Sequence, residues 1–269
     1  MNLLHLDSSI LGDASVSRRL TRALVDQLRA ENPGVAVTYR DLAADALPHL
    51  SAAALAQPND ALIDELKAAD VLVIGAPMYN FAIPTVLKAW IDRVAVAGKT
   101  FRYTAQGPVG LAGGRRVIVA STRGGVYSTS EAGRAQDHQE SWLATVFAFM
   151  GITGDDFLIV RAEGLALSPE SREQSLRAAG AQIEALPSGL RVARETQKSA
   201  MPERRGQPLE ASQPSSPVAS QYCQTASATS AETWISRLPV SAKAGVSSSP
   251  ERPLSQGKRA PAHPVAAAL

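Results

Sequence analysis

The chain has 269 residues, 45% of them hydrophobic and only 5% aromatic, which suits one domain with an aliphatic core plus an appendage. Residues 1–186 carry 17 Lys and Arg against 20 Asp and Glu, and residues 187–269 carry 10 against 5. The net positive charge of +2 therefore comes from the second region, and the first is mildly acidic. We do not take the overall charge as a sign of nucleic-acid binding. The single cysteine, Cys223, excludes an intramolecular disulfide and a cysteine-built metal site, and we expect no metal.

The predicted elements begin with an apolar strand over residues 3–6, without the basic and apolar regions of a signal peptide. Further strands are predicted over residues 35–39, 71–75, 116–120 and 157–161. Helices are predicted over residues 17–30, 59–69, 84–97, 137–150 and 169–186. No apolar stretch reaches the roughly 18 residues that a transmembrane helix needs, so we expect a cytoplasmic protein with no membrane partner.

This alternation of short apolar runs and helical patterns is typical of a parallel sheet with connecting helices. Five strands with intervening helices predict an α/β fold, a doubly wound five-stranded parallel sheet with helices on both faces. The right-handedness of crossovers between parallel strands limits the topologies available. Residues 187–269 differ, since they hold 10 of the 17 prolines and only Tyr222 and Trp234 as aromatic residues. We predict a disordered tail there, with a small packed appendage as the alternative.

Ligands bind such sheets beyond the carboxyl ends of the strands, where the strand order reverses. After the first predicted strand, four serines precede a helix: Ser8, Ser9, Ser15 and Ser17. A helix start offers unpaired N–H groups and serines add hydroxyl donors, so a phosphate fits here. Alternatively, the serines only cap the helix. The spacing matches neither a nucleoside-triphosphate loop nor a dinucleotide fingerprint.

The loops after the third and fourth strands are also unusual. Residues 77–84 place Met78, Tyr79 and Phe81 around Asn80 between two prolines, which could lay an apolar wall against a flat ring. Alternatively, the two aromatic residues belong to the core or to an interface. After the fourth strand, Gly124 and Gly125 allow close approach of a ligand to the backbone, unless they form a plain turn.

Taken together, these motifs resemble those of the FMN-dependent NADH-azoreductases. The resemblance covers residues 1–186 and is carried by Ser9, by residues 15–17, 77–84, 99–104 and 107–111, and by residues 123–125 and 161–165. It implies a flavodoxin-like FMN-binding domain over residues 1–186. The family's chains end near Leu186, and the stretch over residues 46–60 is shorter here than in the family.

The resemblance also implies roles for individual residues. A phosphate-binding loop would comprise Ser9, Ser15, Val16 and Ser17. The segment bordering the flavin ring would comprise Met78, Tyr79, Asn80 and Phe81. A second flavin-contacting loop would comprise Thr122, Arg123, Gly124 and Gly125, with Thr in place of the more usual Ser. Substrate would meet Phe101 and Tyr103 as an aromatic lid, together with Tyr127, in a homodimer whose active site lies at the interface.

The implied activity is a ping-pong reaction in which NADH or NADPH passes hydride to flavin N5 and an acceptor then takes the electrons. Azo compounds would yield two aromatic amines, and quinones would yield hydroquinones. The alternatives are a quinone reductase with incidental azo activity, a flavodoxin-type electron carrier, and a degraded member that no longer binds flavin. No side chain is required as a catalytic group: His5 is expected to be structural and His138 a surface residue.

Overall fold

The computed structural model describes residues 1–187, so the predicted tail, apart from Pro187, lies outside the described residues. Its strands are β1 (Asn2–Asp7), β2 (Ala36–Asp41), β3 (Val71–Pro77), β4 (Phe101–Thr104), β5 (Gly107–Gly110), β6 (Arg116–Thr122) and β7 (Phe157–Ala162). Its α-helices are α1 (Val16–Glu31), α2 (Ala52–Ala56), α3 (Asp60–Ala68), α4 (Thr85–Val94), α5 (Glu131–Ala135), α6 (Glu140–Phe149) and α7 (Pro169–Glu184). None of these helices is long and apolar enough to cross a membrane.

Five of the strands form a parallel sheet in the order β2-β1-β3-β6-β7, which confirms the predicted fold class. The chain moves outward from β1 to β2 and then continues on the other side of β1 with β3, so the strand order reverses between β1 and β3. Asp7 pairs with Gly75, and Gly75 with Ala120, so the carboxyl ends of β1, β3 and β6 lie side by side. The loops that follow these three strands therefore share one edge of the sheet.

Side chains that alternate along the central strands fill two separate cores. In β3, Leu72 and Ile74 pack in the core that includes residues of α3, α4 and α6, and Val71 and Val73 pack in the core that includes residues of α1 and α7. All four side chains are fully buried. A parallel strand covered by helices on both faces needs such a continuous apolar run, because neither face meets water.

Helices α4 and α6 each lose three residues at one end relative to their sequence patterns, in each case where a polar side chain takes the place of a helical bond. Helix α4 ends at Val94, since the Thr100 hydroxyl donates to the Val94 carbonyl at 2.6 Å and accepts from the Val96 N–H at 3.0 Å. Helix α6 begins at Glu140, since the Asp137 carboxylate accepts from the Glu140 N–H at 3.0 Å.

Strands β4 and β5 form an antiparallel hairpin that the sequence patterns did not predict. Gly110 at its end lies directly against the backbone after α6, where a Cβ would overlap atoms of Met150 and Gly151. The Ala112 N–H donates to the Met150 carbonyl at 2.9 Å and continues this contact. The hairpin is thus held on the domain by a junction that only glycine fits.

Replacing Gly110 with Ala should destabilise the protein by about 2 kcal/mol, because the added methyl forces two backbone segments apart. Urea unfolding measures this change. Gly180→Ala in α7 is the matched control, since nothing lies within 4 Å of a Cβ there. That variant should be more stable by roughly 0.5–1 kcal/mol, as expected for Ala over Gly inside a helix. Equal effects of the two substitutions would contradict the close-packed junction.

The outer edge of the sheet at β7 is covered by a side chain of α7. The Gln182 amide accepts from the Arg161 N–H at 2.9 Å and donates to the Arg161 carbonyl at 3.1 Å. One side chain thereby satisfies both backbone groups of an edge residue, which removes the need for a water or another strand at this position.

Candidate functional site

The three loops identified from the sequence meet at the carboxyl edge of the sheet. The Tyr79 hydroxyl lies 3.3 Å from Ser9 Oγ and accepts from the Ile10 N–H at 3.2 Å, which joins the loop after β3 to the loop after β1. The Met78 N–H donates to the Thr122 carbonyl at 2.7 Å, which joins the loop after β3 to the loop after β6. These bonds make one continuous surface of three loops.

The loop after β1 collects hydrogen-bond donors. Ser9, Ser15 and Ser17 are all buried, and the hydroxyls of Ser15 and Ser17 lie 3.0 Å apart. Ser15 is the N-cap of α1 and accepts from the Arg18 N–H, so the capping interpretation holds for this one residue. Within residues 1–187, the N–H groups of Val16 and Ser17 donate to no other group, as expected in the first turn of a helix.

The loop after β3 forms a tight turn in an unusual backbone conformation. Tyr79 and Ala82 exchange two backbone hydrogen bonds of 2.9 and 3.1 Å, and between them Asn80 and Phe81 have φ of 49° and 69°. Two positive φ values identify a type I′ turn, which Asn tolerates and which costs about 1–2 kcal/mol at Phe. In the described part of the chain, the N–H groups of both residues have no acceptor.

The loop after β6 also presents unpaired backbone donors, but the Arg123 side chain turns away from them. Arg123 is fully buried and donates to Asp137 at 2.6 Å and to Glu140, while Arg161 binds the other oxygen of Glu140 at 2.6 Å. Among the described residues, the N–H groups of Gly124 and Gly125 have no acceptor. The Arg123 side chain thus points into the domain, and the Arg123 backbone N–H already donates to the Ala162 carbonyl at 3.0 Å.

Glu163 at the end of β7 fixes the far side of this loop. Its carboxylate accepts from the N–H groups of Tyr127 and Ser128 at 3.0 and 3.2 Å and from the Ser128 hydroxyl. Burial alone would raise the pKa of Glu163, but these hydrogen bonds outweigh it and lower the pKa. The sequence contained Glu163 only within the motif of residues 161–165, and nothing there indicated that it binds the loop.

The lowered pKa of Glu163 predicts acid sensitivity of this loop. A carboxylate with a depressed folded pKa stabilises the fold above its unfolded pKa of about 4.3, and this contribution is lost as the pH falls through the folded value. Glu163→Gln should therefore be less stable than the wild type at pH 7, with a difference that shrinks below about pH 4. Urea unfolding of both proteins at several pH values measures it. A difference independent of pH would contradict the prediction.

The aromatic residues predicted to meet substrate have different environments. Phe101 is only 8% exposed, with its ring centroid 4.4 Å from that of Phe149, so it packs in the domain and supports the hairpin. Tyr103 is 69% exposed, so of the two residues predicted to form the lid it is the one that could close over a substrate. Tyr127 is half-buried and meets the ring of Phe81 edge-on at 6.2 Å.

The two histidines singled out from the sequence differ in exposure. His5 is buried in β1, with Nε2 3.5 Å from the Asp7 carboxylate. The His138 side chain is exposed, and its backbone N–H donates to the Phe81 carbonyl at 3.1 Å. His138 therefore helps to hold the turn after β3 through its backbone.

A family model described as having a flavodoxin-like fold matches residues 1–186. The FMN-dependent NADH:quinone oxidoreductase of Ralstonia nicotianae is 56% identical over 199 residues, which cover 67% of this chain and 94% of that protein. The chain belongs to the flavodoxin-like FMN-dependent NADH:quinone oxidoreductases. Its fold also matches an azoreductase from Bacillus anthracis, at 28% identity and a TM-score of 0.62, over 68% of this chain and 96% of that one.

A second solved structure is an FMN-dependent NADH-azoreductase from the same organism in complex with FMN. It is 26% identical, with a TM-score of 0.61 over 68% of this chain and 95% of that one. The residues of this oxidoreductase fit the same cofactor. Serine hydroxyls and free N–H groups at the start of the 16-residue helix α1 suit a phosphate, because the helix dipole also favours negative charge there.

The rest of the edge suits the flavin ring. The free N–H groups of Asn80, Phe81, Gly124 and Gly125 match the polar rim of a flavin, and the Tyr79 hydroxyl lies 3.3 Å from Ser9 Oγ in the loop after β1. Among residues 1–187, no cluster of His, Cys, Asp or Glu could hold a metal ion.

Proposed function

We propose that the chain binds FMN and uses it to carry electrons from NADH to quinones and to azo compounds in a ping-pong reaction. The observation that carries this proposal is the convergence of three sets of unpaired N–H donors, after β1, β3 and β6, on one edge of the sheet. The relatives named as NADH:quinone oxidoreductases support the donor and the quinone. The azoreductase structures support the second acceptor class.

The bound flavin supplies the chemistry, since it accepts hydride and passes electrons on. The chain's own residues bind and orient it. Ser9, Ser15, Val16 and Ser17 would hold the phosphate, and Thr122 would close the pocket beside Met78, to which it is hydrogen-bonded. The backbone N–H groups of Gly124 and Gly125 would stabilise negative charge at the polar edge of the ring.

We also propose that two copies of the chain form the active unit. Large apolar side chains are exposed around the site: Ile10 is 61%, Leu11 46%, Phe81 46%, Val126 41% and Leu167 64% exposed. Such a rim at a ligand site favours burial against a partner. A second copy would supply the wall that this chain lacks, with Tyr103 closing over the acceptor. We place this activity in the cytoplasm, because NADH is its electron donor.

Visible absorbance of the purified full-length protein tests flavin binding. NADH oxidation with menadione and with methyl red then tests turnover, and parallel double-reciprocal plots identify the ping-pong order. Light scattering gives the oligomeric mass. Absence of bound flavin would show a degraded member, and flavin without turnover would show an electron carrier. Replacing NADH with NADPH measures the donor preference.

A further inference from the structure

Arg18 lies behind the loop that would hold the phosphate. It belongs to the first turn of α1 and is 9% exposed. Its Nη2 donates to the Ser9 carbonyl at 2.9 Å, and its backbone N–H donates to the Ser15 hydroxyl at 3.3 Å. A single residue therefore contacts both ends of the loop over residues 9–15.

The same guanidinium is fixed to the neighbouring strand. Its two terminal nitrogens donate to the two oxygens of Asp41 at 2.6 and 2.7 Å, in the bidentate geometry that suits arginine and not lysine. Nη1 also donates to the Tyr39 hydroxyl at 3.3 Å, and that hydroxyl donates to Asp7 at 3.2 Å. The position of the loop is thereby tied to the carboxyl ends of β1 and β2.

The guanidinium offers no N–H group to a ligand, because its terminal nitrogens are engaged within the chain and its Nε, which has no partner among the described residues, is buried. Asp41 and the Ser9 carbonyl occupy its terminal nitrogens, and Asp7 lies 4.0 Å from Nη1 as a second negative group. The local charge around Arg18 is therefore compensated, so it would act by fixing geometry. A loop held in the bound conformation loses less conformational entropy when a ligand binds.

We propose that Arg18, held by Asp41, is a positioning residue that confers selectivity for the phosphate of FMN over the same flavin without phosphate. This inference rests on the proposed function. The affinity that the phosphate adds would come from the loop over residues 9–15, whose conformation is held by the buried ion pair between Arg18 and Asp41. The ring-binding residues 78–81 and 124–125 make no hydrogen bond or ion pair with Arg18 itself, and only Tyr79 among them contacts the loop, through Ser9 and Ile10. Flavin-ring binding should therefore depend on Arg18 only weakly.

The test compares dissociation constants for FMN and riboflavin, measured by flavin fluorescence on the full-length protein freed of its cofactor. Arg18→Met should weaken FMN binding about 10- to 100-fold and riboflavin binding less than about 3-fold, because only the phosphate loop is released. Arg18→Lys should recover only part of the FMN affinity, because lysine lacks the bidentate fork. Asp41→Asn should likewise weaken FMN binding more than riboflavin binding. It provides a second variant if Arg18→Met does not fold.

Arg40→Met is the matched control. Arg40 is the residue before Asp41 on β2 and forms an equivalent two-bond pair with Glu65, at 2.6 and 2.5 Å, but it does not contact the loop. This variant should leave both dissociation constants unchanged. Equal loss of FMN and riboflavin binding in Arg18→Met, or unchanged FMN binding, would overturn the positioning role. A wild-type protein that binds neither flavin would overturn the proposed function, and this inference with it.

Discussion

Replacing Arg123 with Met is expected to lower the free energy of unfolding by about 3–5 kcal/mol. The substitution removes a guanidinium that is 0% exposed and leaves Asp137 and Glu140, which are 13% and 10% exposed, without the partner that they share. Arg161 still binds Glu140 but does not contact Asp137. The cost of leaving a charge buried and unpaired, not the strength of the pair itself, produces most of the effect.

Urea unfolding measures this change, with Arg177→Met as the control. Arg177 and Glu173 form an ion pair on α7 with side chains 68% and 70% exposed, so its loss should change stability by only about 0.5 kcal/mol. Because Gly124 and Gly125 follow Arg123 directly, binding of FMN and of riboflavin should weaken together in Arg123→Met. Stability equal to that of the Arg177 variant would contradict the anchoring role.

Ser15→Asp is expected to weaken FMN binding at least about 100-fold, since two like charges about 4 Å apart repel by roughly 4 kcal/mol at a protein surface. Helix α1 should persist, because Asp is as good an N-cap as Ser. Riboflavin has no phosphate, so its binding should be retained. Fluorescence titration with both flavins, on wild type and variant, measures the difference.

Ser51→Asp controls for the added charge and the altered cap. Ser51 is the N-cap of α2 and accepts from the Ala54 N–H at 3.2 Å, as Ser15 accepts from Arg18 in α1. That variant should bind FMN as the wild type does. Retained FMN affinity in Ser15→Asp would mean that the phosphate lies elsewhere, and it would remove the assignment of the loop after β1.

The regular elements of the sheet could be predicted because their sequences carry a strong local signal. Continuous apolar runs such as residues 71–75 identify buried parallel strands, and apolar residues repeated along residues 17–30 identify a helix. The observed strands differ from the predicted ones by at most two residues at either end. The hairpin of β4 and β5 was missed, since each strand has only four residues and Phe101 is its one buried side chain.

The meeting of the three loops of the candidate site could also be predicted, because strand order and strand ends determine which loops lie together. The directions in which the side chains of this site point could not be predicted. Arg123 turns inward to Asp137, 14 residues away, and Arg18 binds Asp41, 23 residues away, through contacts that no local pattern encodes. The left-handed conformation of Phe81 was equally hidden, since Phe is a residue that normally avoids it.

The Gln182 side chain over β7 has a consequence for how copies of the chain can meet. An edge strand with free backbone groups is a template on which another chain can add as a further strand, which leads to aggregation or to a continuous intermolecular sheet. At Arg161 both backbone groups are already bonded to Gln182. A second copy therefore cannot extend the sheet through this point of β7, and of the two edge strands of the sheet only β2 lacks such a cover in the described residues.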